Sequence, residues 1–350
     1  MAFNSRMART SVLLCGLGRM GRNHLRLLRT LSSQCEVVGI VDPATQAAKR
    51  AGDIPVFATV DEALSATQPG AAVVATPTAT HFEVARRLIE AGLPMLLEKP
   101  IAATTAEGEA LMQAAEQASV PVMVGHVERF NPAVVAIRRL VREGQLGDII
   151  NVSARRVGGS PQDVTKAGHV LIDLAVHDID ITAWLLGEPR LYAAQGHRGR
   201  YVDAATLLFS CGSATVDIHV NWVSPIKIRR LSVTGNDGHL DANLITQEVT
   251  LTRSSPILMN LNPDQSMVFD EYLRSFAQPD RIQVGIQTRE PLREELRAFL
   301  NAVAGLSPMP VGAAEGVRAL RLAEQARSEI SRSMGVPPSV MPPPLEPSPS

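Results

Sequence analysis

A glycine cluster near the start of the chain is the feature that most constrains the fold. Gly16-Leu-Gly18-Arg-Met-Gly21 follows the apolar run Val12–Cys15, and the residues after it have the spacing of a helix. A second apolar run, Val37–Val41, comes next and ends at Asp42. In a GxGxxG placed between a strand and a helix, the first glycine permits a tight turn and the third lets the helix pack on the strand. The spacing predicts an α/β fold that begins with a βαβ unit.

The rest of the first third continues this alternation of strands and helices. Capping-box patterns at Thr80-x-x-Glu83 and Thr104-x-x-Glu107 predict two helix starts, and Gly92 predicts the end of the first of these helices. Further apolar runs are predicted to be buried strands: Ala72–Ala75, Met95–Leu97 and Val122–Val124. Alternation at this spacing predicts a doubly wound parallel sheet of the Rossmann type. A (β/α)8 barrel is disfavoured because the pattern changes after about residue 130.

The remainder of the chain has a different pattern, with longer strands. Asn131-Pro132 is a good N-cap and first-turn pair for a helix that ends near Gly144. Between Val216 and Trp222, apolar residues alternate with polar ones, which is typical of a sheet with one polar face. The remaining predicted strands and helices are Ile149–Val157, Thr206–Ser210, Thr215–Val223, Ile228–Thr234, Glu290–Val303 and Ala314–Ser331. We therefore expect an α+β domain with an open, largely antiparallel sheet.

Length and composition limit the number of domains and the class of partner. At roughly 100–200 residues per domain, 350 residues predict two domains. We place them at residues 1–128 and 129–334, followed by a Pro-rich tail at 335–350 that is either disordered or docked on another subunit. With 34 basic and 35 acidic residues, a net charge of −1 and only 4% aromatic residues, neither nucleic acid nor a membrane is expected as a partner.

Cysteine usage and hydropathy indicate where the protein resides. The 3 cysteines have no CxxC spacing, so we expect neither a zinc site nor a disulfide framework, and a reducing cytoplasm fits best. The apolar run after Arg9 is too short for the core of a signal peptide, and no uninterrupted apolar stretch reaches the roughly 18 residues of a membrane span. The sequence predicts a soluble cytoplasmic protein.

The glycine loop also predicts a ligand. Gly18 would let a pyrophosphate approach the backbone, and Asp42 is placed to accept hydrogen bonds from the diol of an adenine ribose. A carboxylate at that position repels a 2′-phosphate, which favours NAD over NADP. The nearby cations Arg19 and Lys49 leave NADP open.

Two further segments carry reactive side chains. Glu98-Lys99-Pro100 follows a predicted strand, at the carboxyl edge where doubly wound sheets bind ligands, so its lysine suits an alcohol substrate; the alternative is a solvated lysine on a surface turn. On a helix, Asp173 and His177 share one face, where a carboxylate can orient an imidazole that acts as a general base. The alternatives are a metal site that adds His169 to this pair, or a buried helix with capped polar residues.

These segments, in this order and spacing, resemble the glucose–fructose oxidoreductase/inositol dehydrogenase (Gfo/Idh/MocA) family over most of residues 10–330. Within the family, three segments are most similar to UDP-N-acetylglucosamine 3-dehydrogenases: Gly125–Pro132, Ser153–Gly158 and Ile172–Asp180. The resemblance implies NAD-dependent oxidation of the sugar C3 hydroxyl to a ketone, which would supply a 3-aminotransferase in the synthesis of lipid A or surface polysaccharide. It also implies a homodimer or homotetramer supported by the second domain.

The resemblance carries site residues onto matched positions of this chain. Lys99 and His177 would be the catalytic pair and Asp173 their partner, with His169 beside them on the substrate side. The implied cofactor contacts are Gly16, Leu17, Gly18, Arg19, Met20, Gly21, Asp42, Thr76, Pro77, His81, Glu98 and Lys99. One position departs from the family, because a glycine is common two residues after the motif aspartate and this chain has Ala175. The inositol dehydrogenase branch also tolerates alanine there.

A sugar nucleotide would need cations for its diphosphate, and the planar fork of arginine suits phosphate. Arg155 and Arg156 are neighbours on a predicted strand, so they point to opposite faces and only one of them can line the site. Arg129 is a further candidate, as are Arg198 and Arg200 in a loop. Each of these could instead be solvated or form a structural ion pair.

In the expected mechanism, Lys99 or His177 takes the hydroxyl proton of the substrate, and the Lys99 ammonium stabilises negative charge on that oxygen. The sequence leaves open which of the two is the base. Two other functions also remain open. One is a myo-inositol or free-sugar dehydrogenase of the same fold, which needs no diphosphate contact. The other is a non-catalytic NAD-binding sensor, against which the complete set of Lys99, Asp173 and His177 argues.

Overall fold

The computed structural model describes residues 9–159, 169–198, 202–253 and 280–334. The predicted Pro-rich tail, Arg200 and the side chain of Arg198 lie outside the described residues.

The chain divides into two units. One takes in the chain up to Phe130 together with Arg289–Arg321, and the other takes in Asn131–Thr288 and the chain from Leu322 onward. The first boundary is close to the predicted one. The sequence predicts one continuous domain over residues 129–334. In the structure the segment Arg289–Arg321 belongs instead with the first unit.

The first unit contains a parallel sheet. Its described strands are β1 (Thr10–Cys15), β2 (Cys35–Val41), β3 (Val56–Phe57), β4 (Ala71–Val74), β5 (Met95–Glu98) and β6 (Val122–Gly125). They lie in the order β3-β2-β1-β4-β5-β6, and all neighbours are parallel. Every residue of β4, β5 and β6 is buried, as expected for strands covered on both faces. The predicted Rossmann sheet is confirmed, although β3 is too short to carry a periodic signal.

The helices between these strands begin where local sequence signals place them. They are α1 (Arg19–Thr30), α2 (Ala47–Ala51), α3 (Val60–Ala66), α4 (His81–Glu90) and α5 (Thr105–Ala118). Thr104 Oγ1 accepts from Glu107 N at 3.2 Å and Glu107 Oε2 accepts from Ala103 N at 3.1 Å, so this predicted cap is confirmed. The cap predicted at Thr80 is wrong, because its hydroxyl donates to the carbonyl of Pro77 at 2.8 Å in the 3-10 turn before α4.

The described residues of the second unit form a second sheet. Its strands are β7 (Ile149–Val157), β8 (Arg190–Arg198), β9 (Val202–Cys211), β10 (Ala214–Asn221), β11 (Ile228–Gly235), β12 (Gly238–Asn243), β13 (Glu248–Arg253) and β14 (Arg281–Gln283). The order is β14-β13-β12-β11-β7-β10-β9-β8. β7 and β10 run parallel and the other neighbours antiparallel, which confirms the predicted open mixed sheet.

This sheet has one apolar and one polar face. In β10, Val216, Ile218 and Val220 are buried, whereas Asp217 and His219 are partly exposed. The alternation matches the pattern expected from the sequence, since successive side chains of a strand point to opposite faces.

Two helices among the described residues of the second unit are α6 (Pro132–Arg142) and α7 (Val176–Leu186). Asn131 Oδ1 accepts from Ala133 N at 3.1 Å, which confirms the predicted cap of α6. α7 continues directly from a turn of π-helix, Leu171–Ala175.

Two helices near the end of the chain complete the fold. They are α8 (Pro291–Val303) and α9 (Ala313–Ser333). Within the first unit, α8 packs against α1 and against the 3-10 turn Val127–Phe130. None of the helices in the described ranges is both long enough and apolar enough to cross a bilayer.

Candidate active site

The glycine loop between β1 and α1 has the geometry of a phosphate-binding turn. Gly16 has a φ of +92°, and a Cβ there would lie 2.6 Å from the carbonyl oxygen of Ala75. A Cβ at Gly21 would lie 2.0 Å from the carbonyl oxygen of Gly16, so neither position accepts a side chain. At Gly18 a Cβ would meet no heavy atom within 4 Å, which leaves this backbone open to an approaching phosphate. Since α1 begins at Arg19 with no acidic residue in its first turn, its N-terminus suits an anion.

Asp42 lies beside this loop, at the carboxyl end of β2. The backbone N–H of Leu17 donates to Asp42 Oδ2 at 2.7 Å, and the N–H of Ala44 donates to Oδ1 at 2.9 Å. Both bonds hold the carboxylate in place, and each oxygen retains capacity for a second donor. The geometry therefore suits the acceptor role proposed for Asp42 toward a ribose diol.

His81, at the start of α4, connects two loops at the carboxyl edge of the sheet. Its Nδ1 atom lies 2.8 Å from the carbonyl oxygen of Pro100, and its Nε2 atom lies 3.0 Å from that of Thr76. Burial lowers the pKa of His81, against the effect of these two carbonyls and of the Glu98 carboxylate, which favour the charged ring. His81 thus ties the Thr76-Pro77 turn to the segment that follows β5.

Glu98 anchors the backbone at Lys99. Its Oε2 accepts from the N–H of Lys99 at 3.3 Å, while its Oε1 accepts from Nε2 of His24 at 2.7 Å. Burial alone would raise the pKa of Glu98, but the hydrogen bond from His24 and the charges of His24, Lys99 and His81 lower it. Glu98 therefore stays ionised, and Lys99 itself is half-buried at the end of the strand.

Two residues of this site were not predicted from the sequence. His24 lies on the buried face of α1, where a single histidine is indistinguishable from a core residue. Glu295 lies on α8 and is 0% exposed, and among the residues that the structure describes neither of its carboxyl oxygens has a hydrogen-bond partner. Burial, together with the charge of Glu98, raises the pKa of Glu295 well above its ordinary value. The first unit therefore buries His24, His81 and Glu295 together with Glu98, whose charge acts on the pKa of both His81 and Glu295.

In the second unit, Asp173 and His177 lie on one continuous helical segment. Asp173 belongs to the π-helical turn and His177 to the first turn of α7, and both side chains are half-buried. Nε1 of Trp222 donates to Asp173 Oδ2 at 3.0 Å. His169 stands at the start of the segment, where its carbonyl accepts from the N–H of Asp173 at 3.0 Å. The structure thus brings the three predicted residues into one segment and adds Trp222.

The candidate arginines differ in their burial and in their partners. Nε and Nη2 of Arg156 each donate to Asp178 at 2.8 Å, and the two side chains are only 4% and 1% exposed. Arg155 lies on the opposite face of β7, exposed beside His219, whose pKa is lowered by burial and by the Arg155 charge. Arg129 is buried, 3.9 Å from a carboxyl oxygen of Glu315. The prediction that Arg155 and Arg156 face opposite sides is confirmed.

A metal centre has no support in the part of the chain that the structure describes. There, no group of three or more His, Cys, Asp or Glu side chains is arranged to hold a metal ion, and the trio of His169, Asp173 and His177 is no exception.

The fold and these motifs define a class of protein. Residues 10–126 match the family domain GFO_IDH_MocA, described as an oxidoreductase family with an NAD-binding Rossmann fold. Residues 134–241 match the GFO/IDH/MocA C-terminal domain, so the two matches span more than half of the chain. The chain belongs to the GFO/IDH/MocA oxidoreductase family, and NAD is its cofactor.

Several relatives are similar to this chain over most of their length. UDP-N-acetylglucosamine 3-dehydrogenase from Acidithiobacillus ferrooxidans is 28% identical over 327 residues, which cover 91% of this chain and 96% of the relative. The rhizopine catabolism protein MocA from Rhizobium meliloti is 27% identical over 343 residues, which cover 94% of this chain and 97% of the relative. scyllo-Inositol 2-dehydrogenase (NAD(+)) from Bacillus subtilis is 26% identical over 317 residues, which cover 83% of this chain and 91% of the relative.

Solved structures share the fold. The UDP-N-acetylglucosamine 3-dehydrogenase GnnA from Acidithiobacillus ferrooxidans superposes with a TM-score of 0.79 at 24% identity, covering 93% of this chain and 99% of its own. The WlbA dehydrogenase from Bordetella pertussis, solved with NADH and UDP-GlcNAcA, superposes with a TM-score of 0.77 at 20% identity, covering 93% and 96%.

Proposed function

We propose that this protein is an NAD-dependent dehydrogenase that oxidises the C3 hydroxyl of UDP-N-acetylglucosamine to a ketone. The proposal is carried by the reactive groups that each unit holds: in the first unit Glu98 holds the backbone at Lys99, and in the second unit one helical segment carries Asp173 and His177. The choice of substrate is supported by the similarity to a UDP-N-acetylglucosamine 3-dehydrogenase over 91% of this chain and 96% of that relative. The ketone would be consumed by a 3-aminotransferase.

The chain's own residues have distinct parts in this reaction. Bound NAD supplies the acceptor for the hydride of the substrate carbon. The glycine loop and Asp42 hold the dinucleotide through backbone N–H groups and a carboxylate. The side chain of Lys99 or His177 accepts the hydroxyl proton, and a Lys99 ammonium stabilises the negative charge that develops on the oxygen. Asp173 orients the ring of His177 and stabilises its protonated form.

A second candidate function is favoured by the arginines. Arg156 is bound to Asp178, Arg155 faces away from it across the sheet, and Arg129 is buried beside Glu315. Arg156 and Arg129 thus lie beside carboxylates of their own unit, which gives no support to a diphosphate contact at either of them. An uncharged polyol or free sugar needs no such contact, and a scyllo-inositol dehydrogenase is among the relatives. We therefore keep a polyol or free-sugar dehydrogenase as the alternative.

Formation of NADH with different substrates separates the two candidates. We would assay the purified protein with UDP-N-acetylglucosamine, UDP-glucose and myo-inositol, and couple each reaction to a 3-aminotransferase with glutamate so that ketone is removed. We expect turnover with UDP-N-acetylglucosamine, which the coupled enzyme accelerates. Turnover with myo-inositol alone would establish the alternative, and binding of NAD without turnover of any alcohol would point to a sensor.

Substitution of the proposed acid–base residues tests the mechanism. Lys99→Ala and His177→Ala should each lower kcat by about 100-fold or more, because each removes a group that transfers or stabilises charge in the transition state. Far-UV circular dichroism serves as the check on folding. The matched control is Lys227→Ala, which removes an exposed lysine of the second unit and should leave kcat unchanged. Near-normal kcat in either site variant contradicts the assignment.

A further inference from the structure

Trp222 makes a direct hydrogen bond to the candidate site that no sequence motif indicates. Its indole Nε1 donates to Asp173 Oδ2 at 3.0 Å, and the residue is only 3% exposed. Trp222 directly follows β10, and its backbone N–H donates to the carbonyl of Asp203 at 2.9 Å. The tryptophan is therefore fixed by the sheet, while the aspartate that it contacts belongs to a helical segment.

Asp173 lies where the helical backbone is least regular. The turn Leu171–Ala175 is π-helical, and the N–H of Val176 bonds back to the carbonyl of Leu171, five residues earlier. A π-turn is wider than an α-turn, and such turns are frequent at functional sites. Because the backbone here departs from the regular α-helix, a side chain anchored elsewhere in the unit has more influence on where the Asp173 carboxylate points.

We propose that Trp222 is a positioning residue that holds the Asp173 carboxylate in one orientation, so that Asp173 can fix the ring of His177. The inference rests on the proposed function, in which His177 takes part in proton transfer. An indole N–H is a donor only, so Oδ2 of Asp173 is the acceptor in this bond. With Oδ2 held by the indole, rotation of the carboxylate is restricted and its charge is partly compensated. Asp173 then acts on His177 with a defined geometry and strength.

The chain provides its own control, since it contains 2 tryptophans. The second, Trp184, lies on α7, and its ring centre is 3.9 Å from the Cζ atom of Arg138 on α6. Phenylalanine at either position keeps a six-membered aromatic ring. It removes the five-membered ring of the indole together with its N–H. Trp222→Phe thus removes the bond to Asp173, whereas Trp184→Phe preserves a ring beneath Arg138.

The kinetic arm compares these two variants on the substrate that the enzyme turns over. Trp222→Phe should lower kcat about 10-fold, the size expected for losing one hydrogen bond to a charged group, with little change in the KM for NAD. Without the indole donor the Asp173 carboxylate is no longer held in one orientation toward His177, so the acid limb of the kcat/KM profile should shift in Trp222→Phe. Trp184→Phe should change neither quantity. An unchanged kcat and pH profile in folded Trp222→Phe, or equal changes in both variants, would overturn the proposal.

A second arm requires neither turnover nor a folded Trp222 variant. The two indole N–H groups give separate resonances in a 15N-labelled sample of the full chain, and Trp184→Phe alone assigns both, because the resonance that disappears belongs to Trp184. Asp173→Asn should shift the Trp222 resonance and leave that of Trp184 in place, because only the former indole donates to Asp173. An unmoved Trp222 resonance would contradict the contact. If the resonance shifts but no alcohol is oxidised, the proposed function fails and the contact stands.

Discussion

The two units of this protein bury charged groups in different ways. In the second unit, Arg156 and Asp178 form two hydrogen bonds of 2.8 Å, so that the charges compensate each other within one pair. In the first unit, His24 and Glu98 share one hydrogen bond, and the carboxyl group of Glu295 has no hydrogen-bond partner within the described part of the chain. One unit therefore carries a closed ion pair, and the other carries a cluster whose charge depends on which of its members hold protons.

This difference has a physical consequence for the response to pH. Guanidinium groups stay protonated at every pH at which proteins fold, so an arginine–carboxylate pair changes only when the carboxylate is protonated in acid. In the first unit, burial and the charge of Glu98 raise the pKa of Glu295, while the hydrogen bond and charge of His24 lower the pKa of Glu98 against the effect of burial. We therefore expect the dependence of stability on pH near neutrality to arise mainly in the first unit.

The largest effect is expected from breaking the closed pair. Asp178→Ala leaves the Arg156 guanidinium buried without its two bonds to Asp178, which should lower the free energy of unfolding by about 3–5 kcal/mol. Urea denaturation followed by circular dichroism measures the change. As a control, Asp241→Ala removes an exposed partner of Arg230 and should cost less than about 1 kcal/mol. An equal loss of unfolding free energy in both variants would show that the buried pair stabilises the protein no more than the exposed pair does.

A smaller effect, with a characteristic pH dependence, is expected at Glu295. Below the ordinary pKa of 4.5 both the folded and the unfolded chain hold this proton; above it the unfolded chain releases the proton and the folded chain keeps it, so wild-type stability falls as pH rises. Gln does not titrate. Glu295→Gln should therefore gain stability relative to wild type as the pH rises above 4.5. Denaturation of both proteins at several pH values tests this.

The neighbouring residue on the same helix supplies the control. Glu294 is partly exposed and pairs with Arg289 and Arg297, so Glu294→Gln should show no comparable gain with rising pH. Glu98→Gln should show the opposite trend, since a lowered pKa contributes stability that is present at neutral pH and lost as pH falls. A difference between Glu295→Gln and wild type that stays constant with pH would mean that Glu295 is not held in its neutral form.

The smallest effect is expected from an uncharged group, which sets the baseline for the comparison. Thr104→Ala removes the cap of α5 and should cost about 1 kcal/mol at every pH, because neither the hydroxyl nor the amide titrates. Thr80→Ala, at a position that does not cap its helix, should cost less. A pH-dependent loss in Thr104→Ala would show that the method itself, and not the buried charges, produces the dependence seen at Glu295.

Local spacing was enough to predict the parts of this protein that are built from neighbouring residues. The glycine loop, the cap at Thr104 and the helical pair of Asp173 and His177 each depend on residues within a few positions of one another. Where a local competitor intervened, as the Pro77 carbonyl does at Thr80, the prediction failed.

Contacts between residues distant in sequence could not be predicted, because local spacing carries no information about them. His24 and Glu98 are 74 positions apart, Arg156 and Asp178 are 22 apart, and the indole of Trp222 meets a carboxylate 49 residues earlier. No periodicity links such pairs, because each is created when separate elements pack together. The sequence identified arginines of the right chemistry for a diphosphate, but only packing shows that Arg156 is already bound.

The return of Arg289–Arg321 to the first unit has a consequence for biosynthesis. A domain encoded by one continuous stretch can fold on the ribosome as soon as it emerges, whereas here the helix that carries Glu295 is translated after the whole of β7 to β14. Until α8 has been synthesised, the surfaces of α1 and of the turn Val127–Phe130 that α8 contacts therefore stay uncovered in the nascent first unit. Chaperone binding to ribosome-bound chains should persist until about residue 321 has left the exit tunnel, and then fall.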